Sequence, residues 1–251
     1  MSIVKNYLLG YDNMYIYQDD EMFNFSLDSV LLANFVTLNK KSTKIMDIGC
    51  GNAPIPLIMS TRTKASIKGV EIQKEVYDLA VKSVKINHLE NQIEIINRDI
   101  NDLYNELESD SFDVITCNPP YFKYSESSNI NDSKYKVIAR HELMLDIPRL
   151  LKISKKLLKN NGILAIVHRP ERLLDILLEM KENNIEPKRI QLIYPSKDKE
   201  ANILLIEGAK NGNPGLKVLP PIYAHDEDGN YTEQVKRYFE KRWYNVAKKL
   251  W

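Results

Sequence analysis

An α/β fold with a parallel sheet covered on both faces is what this sequence predicts, and three observations predict it. Short apolar runs alternate with segments of helical period from residue 44 to residue 208. Two of the runs end in residues that a strand does not continue through, Gly49-Cys50-Gly51 in one case and Pro119-Pro120 in the other. A third run ends in an acid, Glu71, about twenty residues beyond the glycines, the offset at which a carboxylate reaches a ribose in dinucleotide-type sites. A chain of 251 residues has room for one well-buried domain with short extensions.

The elements follow in order. Lys44-Ile45-Met46-Asp47-Ile48 is an apolar run, so the first strand is expected over 44–48. Two glycines directly after it let the backbone pass close to a ligand with no Cβ in the way. Pro54 is tolerated in a first helical turn, which starts a helix over 54–61 whose free N–H groups suit a carboxylate. Ser66-Ile67-Lys68-Gly69-Val70-Glu71 is the second strand, and a helix over 74–87 follows it. Glu71 reads either as a ribose ligand or as a charge at the start of that helix. Ile93-Glu94-Ile95-Ile96 marks a strand over 93–97, and Phe112-Asp113-Val114-Ile115-Thr116-Cys117 marks one over 112–117. A helix over 142–159 has an apolar stripe of Leu143, Ile147, Leu150, Leu151, Leu157 and Leu158. Its lysines 152, 155, 156 and 159 lie outside that stripe, as a solvated face or an RNA contact. Strands over 162–168, 188–194 and 201–208 and a helix over 171–183 complete the list.

Asn118-Pro119-Pro120-Tyr121 carries the most chemistry. It follows an apolar strand, and its prolines fix φ and remove two donors, leaving the Asn118 and Pro119 carbonyls as acceptors in a turn. With the Asn118 side-chain oxygen, such a turn can accept both hydrogens of an exocyclic amine or a carboxamide. Tyr121 adds a face for a stacked base, worth roughly 1–3 kcal/mol in single-strand sites. The bland alternative is a Pro-Pro turn that only ends a strand. The connection 122–139, with Ser125, Ser127, Ser128, Asn129, Asn131 and Asp132, is polar and aperiodic; leaving the turn directly, it reads as a substrate gate.

Bulk properties narrow the classes. A formal net charge of +1 announces no global affinity for nucleic acid, so any RNA footprint is local. The two cysteines, Cys50 and Cys117, fall at strand ends without His or Cys at metal-ligand spacing, so they read as reduced packing residues and no metal is expected. No basic-then-apolar start and no run of about 18 apolar residues is present, so a soluble, cytoplasmic protein without membrane contact is expected.

These motifs resemble those of the class I S-adenosylmethionine-dependent amino-methyltransferases, and most resemble the tRNA1(Val) adenine-37 N6-methyltransferase family. The resemblance rests on Phe25-Ser26-Leu27-Asp28-Ser29-Val30-Leu31-Leu32-Ala33, the Asp47 glycine loop, Asn118-Pro119-Pro120-Tyr121-Phe122-Lys123 and Ala139-Arg140-His141-Glu142. It continues through His168-Arg169-Pro170-Glu171-Arg172-Leu173 and Leu216-Lys217-Val218-Leu219-Pro220-Pro221, and so covers nearly the whole chain. The cofactor loop departs from the family pattern, with Ala53 and Pro54 where a further glycine often stands.

The resemblance implies a Rossmann-like seven-stranded methyltransferase sheet with an antiparallel last strand. It implies S-adenosylmethionine as cofactor and the anticodon stem-loop of a tRNA as partner, with N6 of adenine 37 as methyl acceptor. Cofactor contacts are expected from Asp47, Gly49, Gly51, Asn52, Glu71, Ile72, Asp99, Ile100 and Asn118. Asp99 would accept from the cofactor's adenine amine while Ile100 packs on the ring; Asp99 otherwise caps the segment after it. Asn118, Pro119, Pro120 and Tyr121 form the catalytic set. Phe25, Ser26, Asp28, Tyr121, Phe122, Lys123 and Arg140 are expected at the substrate, with Phe25 alternatively in the core and Arg140 alternatively in an ion pair. His141 and Glu142 orient the loop or cap a helix, and no histidine base is needed.

One structural domain is expected, with an extension over 1–43 closing on the site, a catalytic core over 44–210 and a basic, aromatic extension over 211–251. In that tail Lys236, Arg237, Lys241, Arg242, Lys248 and Lys249 interleave with Tyr231, Tyr238, Phe239, Trp243, Tyr244 and Trp251. The mixture suits RNA contact or an amphipathic helix with its aromatics on the sheet. A monomer is compatible with all of this. Alternatives in view are a guanine-N2 methyltransferase of ribosomal RNA, an adenine-N6 enzyme of DNA, a protein-glutamine N5-methyltransferase and a cofactor-dead RNA-binding scaffold. The glutamine enzymes carry an amino-terminal helical domain, for which the 43 residues before Lys44 are too few.

Overall fold

The computed structural model describes residues 3–8, 11, 14–19, 27–119 and 146–239. Phe25, Ser26, Pro120, Tyr121, Phe122, Lys123, Arg140, His141, Glu142, the connection 122–139 and residues 240–251 lie outside the described residues.

The chain opens with a hairpin of β1 (Ile3–Tyr7) and β2 (Tyr15–Asp19), followed by α1 (Leu27–Phe35). Strands and helices then alternate: β3 (Lys44–Ile48), α2 (Pro54–Ser60), β4 (Ser66–Glu71), α3 (Lys74–Ile86), β5 (Ile93–Asn97), α4 (Ile100–Glu106) and β6 (Phe112–Cys117). After α5 (Ile147–Leu157) come β7 (Leu158–His168), α6 (Leu173–Glu182), β8 (Ile185–Tyr194) and β9 (Ile203–Lys210). The short strands β10 (Lys217–Val218) and β11 (Ile222–Tyr223) lead to α7 (Glu233–Phe239).

The central sheet runs β5-β4-β3-β6-β7-β9-β8, with β10 and β11 on the outer edge of β8. From β5 to β7 every pairing is parallel, and β9 lies antiparallel between β7 and β8. This is the expected mostly parallel sheet with an antiparallel last strand. The chain leaves β3 toward β4 and β5 and then returns to β6 on the other side of β3, so the strand order reverses there. At such a switch point the loops diverge and open a crevice at the strands' carboxyl ends. Asp47 pairs with Thr116 in that register, one residue short of the end of β3.

Apolar side chains cover both faces. Val30, Leu31 and Leu32 of α1, Leu57 and Ile58 of α2 and Val84 of α3 form one core with Ile45, Ile67 and Val114. Ile100 and Leu103 of α4, Leu150, Leu151 and Leu157 of α5 and Met180 of α6 form the other with Met46, Ile115 and Ile206.

Several boundaries differ from expectation for identifiable reasons. The helix expected over 142–159 is helical over Ile147–Leu157; Asp146 caps it by accepting from the Arg149 N–H at 2.8 Å. β7 begins at Leu158 rather than 162, because the turn-like Asn160-Asn161-Gly162 is absorbed as an irregularity against β6, with Asn161 at φ 61°. The hairpin, α1 and α4 were not among the expected elements. Six of the nine residues of α1 are buried, so it shows no polar stripe, and the hairpin has no Asn-Gly or Asp-Gly turn to announce it.

The carboxyl end of α1 is held by cations in place of a glycine cap. Arg62 donates to the carbonyls of Ala33 and Val36, and Arg189 donates to the Phe35 carbonyl while stacking on the Phe35 ring. Buried Glu207 on β9 accepts from Arg189 Nε at 2.6 Å and from both the N–H and the hydroxyl of Thr37. In the described part of the tail, Val235, Tyr238 and Phe239 pack on the first core, which is the structural reading of those aromatics.

Candidate active site

The site begins with a buried carboxylate. Asp47 is 0 % exposed; its Oδ1 accepts from the Thr116 hydroxyl of β6 at 2.6 Å, and its Oδ2 is buried without a partner. Burial pushes the carboxyl up to about 7, helped by the charge of Glu71 and opposed by the Thr116 bond. A desolvated, unpartnered acceptor at a strand end is costly unless a donor arrives.

The glycine loop is folded to leave that end open. The amides of Gly49 and Cys50 both donate to the Val70 carbonyl, at 2.9 and 3.0 Å, which turns the chain back toward β4. Gly49 and Gly51 have φ of 68° and 57°, and a Cβ on either would meet nothing within 4 Å. Backbone conformation therefore demands glycine here, and the space a side chain would fill is a cradle for something else. Ala53 takes the third left-handed position, φ 72°, at the start of α2, so the departure from the glycine pattern is tolerated as strain rather than as a different path.

Glu71 ties the two loops together. It is 5 % exposed, with Oε2 accepting from Gly51 N–H at 3.0 Å and Oε1 from Gln73 N–H at 2.8 Å. Burial raises its carboxyl while the backbone bonds hold it down. Asn97 Nδ2 donates to the carbonyls of Glu71 and Ile72, at 2.9 and 3.0 Å, fixing the strand end. Asp99 caps α4: its Oδ1 accepts from the backbone and side-chain N–H groups of Asn101, at 2.7 and 3.0 Å. Ile100 beside it is buried in the core on that face of the sheet.

On the far side of the switch point Asn118 directly follows β6, and its Nδ2 donates to the Ser29 hydroxyl of α1 at 3.0 Å. Pro119 is buried next to it. Asp28, the residue before Ser29, lies in the first turn of α1. Asn52 Nδ2 donates to the Tyr17 carbonyl at 2.9 Å, so the glycine loop also holds the hairpin. His168, at the end of β7, is pushed down to about 4 by burial and by Arg172, and its Nδ1 accepts from Arg169 N–H, so the ring is neutral at pH 7. The thiols of Cys50 and Cys117 are free and buried, which pushes both well above the ordinary range.

The structure thus bonds Gly49 and Gly51 to the end of β4 at Val70 and Glu71, with Asn52 of the same loop held to the hairpin, Asp47 held to Thr116 near the end of β3 and Asn118 just beyond β6. Thr116, Asn97, Ser29 and Tyr17 were not foreseen as parts of it. Ser29 sits within the quoted Phe25–Ala33 segment, one residue beyond the expected Asp28, and Thr116 sits opposite Asp47 once the strand pairing is known.

Two buried acceptor carboxylates and an open glycine cradle suit a ligand with ammonium and hydroxyl donors. A family model of the methyltransferase small domain matches residues 24–187. Relatives with the name tRNA1(Val) (adenine(37)-N6)-methyltransferase include one from Parabacteroides distasonis, 29 % identical over 76 % of this chain and 79 % of its own length. Another, from Flavobacterium johnsoniae, is 28 % identical over 89 % and 95 %. Among solved structures, a protein described as a predicted O-methyltransferase from Agrobacterium tumefaciens superposes with a TM-score of 0.67 at 19 % identity, over 84 % of this chain and 95 % of that one. The geranyl diphosphate C-methyltransferase of Streptomyces coelicolor, solved with Mg2+, geranyl diphosphate and S-adenosyl-L-homocysteine, superposes at 0.56 and 12 % identity, over 72 % and 76 %.

Proposed function

The chain belongs to the methyltransferase small domain family, and on that premise we propose that it transfers a methyl group from S-adenosylmethionine to N6 of adenine 37 in tRNA1(Val). The names of its relatives, which span most of both chains, support the substrate. The observation that carries the reading is the pairing, across one switch point, of a donor-seeking carboxylate loop with an Asn-Pro turn.

The residues fit the cofactor. Asp47, with its unpartnered buried oxygen, complements an ammonium group, and Glu71 complements ribose hydroxyls. The open faces of Gly49 and Gly51 admit a ligand that a Cβ would exclude. Asp99 serves an adenine amine through the oxygen that its cap bonds leave aside, with Ile72 and Ile100 as apolar neighbours. When bound, S-adenosylmethionine supplies a sulfonium methyl already activated for displacement.

The chain's own work is positioning. Adenine N6 is a weak nucleophile because its lone pair is delocalised into the ring. Asn118 and the Pro119 carbonyl accept from its two N–H bonds and favour the pyramidal form in which the pair is localised. Ser29 takes a hydrogen of the Asn118 amide, which turns Oδ1 to the opposite side. Aligning amine and methyl in this way is worth up to about 7–11 kcal/mol. The proton then leaves a strongly acidic aminium without a side-chain base. Tyr121 stacks on the target base, Pro120 stiffens its turn, and Phe25, Ser26, Asp28, Phe122, Lys123 and Arg140 contact the anticodon stem-loop. The base leaves its stack to reach the turn, at a smaller cost in a loop than in a duplex. The reaction belongs in the cytoplasm, with tRNA.

Methyl transfer from labelled S-adenosylmethionine to unmodified tRNA, followed by nucleoside analysis, tests the reading. N6-methyladenosine in one tRNA, lost in Asn118→Ala, is the expected result. Label in ribosomal RNA, DNA or protein glutamine instead would overturn it.

A further inference from the structure

The hairpin presents a face that the proposed reaction does not use. Along β1 exposure alternates, so Ile3, Lys5 and Tyr7 point outward, and the pairing sets Lys5 opposite Tyr17 and Tyr7 opposite Tyr15. Tyr7 is 65 % exposed and Ile3 49 %. The Tyr7 and Tyr15 rings lie 4.9 Å apart, tilted by 38°, and Lys5 Nζ sits 3.7 Å from the centroid of Tyr15. Lys5 thus covers Tyr15, and Tyr7 is the ring left open to solvent.

This face is fixed to the catalytic body. Tyr15 exchanges two hydrogen bonds with Asn87, the residue that caps the carboxyl end of α3: its N–H donates to Oδ1 at 2.9 Å and its carbonyl accepts from Nδ2 at 2.7 Å. Tyr17 N–H donates to Ser83 at 2.9 Å, and the Tyr17 carbonyl accepts from Asn52 of the glycine loop. The aromatic face is therefore held in register with the loop beside which the reaction occurs. Aromatic rings with an adjacent cation, exposed on a rigid two-stranded support, are what unpaired nucleotides bind: a base stacks on the ring and a phosphate meets the ammonium. Beyond its contact with Tyr15 the Tyr7 ring faces solvent, and an exposed aromatic beside a cation on a fixed support suits an interaction site.

We infer that the outward face of the hairpin is a stacking platform for unpaired nucleotides of the RNA substrate, with Tyr7 taking a base and Lys5 a phosphate. The inference rests on the tRNA reading above and adds to it a second contact area outside the Asn118 turn. Tyr7, being exposed, can be changed without disturbing the core.

The test uses the full chain and a labelled anticodon stem-loop RNA, with binding, steady-state methylation and S-adenosylmethionine binding measured in parallel. Tyr7→Ser weakens RNA binding and raises KM for RNA at least about fivefold, while kcat and cofactor affinity stay at wild-type values. Tyr7→Trp restores binding, since any aromatic face will stack. Lys5→Ala lowers the slope of log affinity against log salt by about 0.7, one single-strand phosphate contact. A wild-type protein that methylates tRNA while Tyr7→Ser and Lys5→Ala bind the loop unchanged overturns the platform and leaves the enzyme reading standing. A wild-type protein that methylates no RNA overturns both.

Discussion

Asn118 and Ser29, 89 residues apart in the chain, are joined by a 3.0 Å hydrogen bond from the Asn118 amide nitrogen to the Ser29 hydroxyl. The bond links a helix ahead of the sheet to the residue that follows β6, and so ties α1 to the Asn118 turn proposed to hold the target amine. Removing Ser29's hydroxyl takes away the acceptor that orients the Asn118 amide nitrogen toward α1. Ser29→Ala is expected to lower kcat about tenfold with little change in KM for cofactor, as misalignment alone costs. Steady-state kinetics on tRNA read both, and a change confined to KM would remove the positioning role.

Asp47 makes stability depend on pH in a defined direction. Its carboxyl titrates near 7 in the folded chain against an ordinary 3.8 in the unfolded one, so between those values the folded chain holds a proton that the unfolded chain has lost. Stability from this group is full below about pH 4 and is lost as pH rises through about 7. Asp47→Asn removes the charge and keeps an acceptor for Thr116. Without cofactor, the variant should therefore exceed wild type above pH 7 by as much as about 4 kcal/mol and lose the advantage near pH 4. Denaturant titrations at the two pH values check the sign, and cofactor binding by the variant should be weaker at pH 8.

His168 contributes the opposite slope. Buried and held near 4 against an ordinary value of 6.5, it is neutral in the fold, and its contribution is lost as pH falls from about 6.5 through about 4. His168→Gln is expected to flatten the acid limb of the stability profile while leaving the pH dependence of kcat unchanged, because no step proposed here uses its proton.

Glu207 is 2 % exposed and answers to Arg189 and Thr37 together. Arg189→Met leaves that carboxylate buried with only the Thr37 donors, and it also unbinds the Phe35 carbonyl. Breaking a buried pair from one side costs about 3–5 kcal/mol; Arg189 is partly exposed, so about 2–3 kcal/mol is expected in urea unfolding.

The strands from 44 to 117 were legible to within a residue because each is a short run rich in apolar residues, three of them closed by glycine, an acid or Asn-Pro and β5 ending at Asn97-Arg98, and such runs depend on local pattern alone. The site was legible where one segment carries its own chemistry, as in Asp47-Ile48-Gly49-Cys50-Gly51 and Asn118-Pro119. What sequence did not show is pairwise. Asp99 offered two roles, and its capping bonds to Asn101 became visible only with α4 in place. The Ser29 bond to Asn118, the Asn52 bond to Tyr17 and the Arg62 and Arg189 bonds to the end of α1 all join segments far apart in the chain. No periodicity records such contacts, and a helix buried on most sides, like α1, lacks the stripe that would mark it.

Gly49 separates conformation from ligand space. At φ 68° an alanine incurs the left-handed penalty of about 1–2 kcal/mol, yet its methyl group meets nothing within 4 Å in the protein. If the open face of the loop is where the cofactor passes, Gly49→Ala should lower stability by no more than that amount while weakening S-adenosylmethionine binding more than tenfold, because the methyl occupies space the ligand needs. A parallel change at Gly229, also at positive φ, open to solvent and far along the chain, controls for strain alone: the same loss of stability with cofactor affinity intact. Calorimetric titration of both variants decides the matter. Equal affinity for cofactor in Gly49→Ala and wild type would mean that the cradle beside Asp47 is not the binding site, and that the unpartnered oxygen of Asp47 is answered by something else.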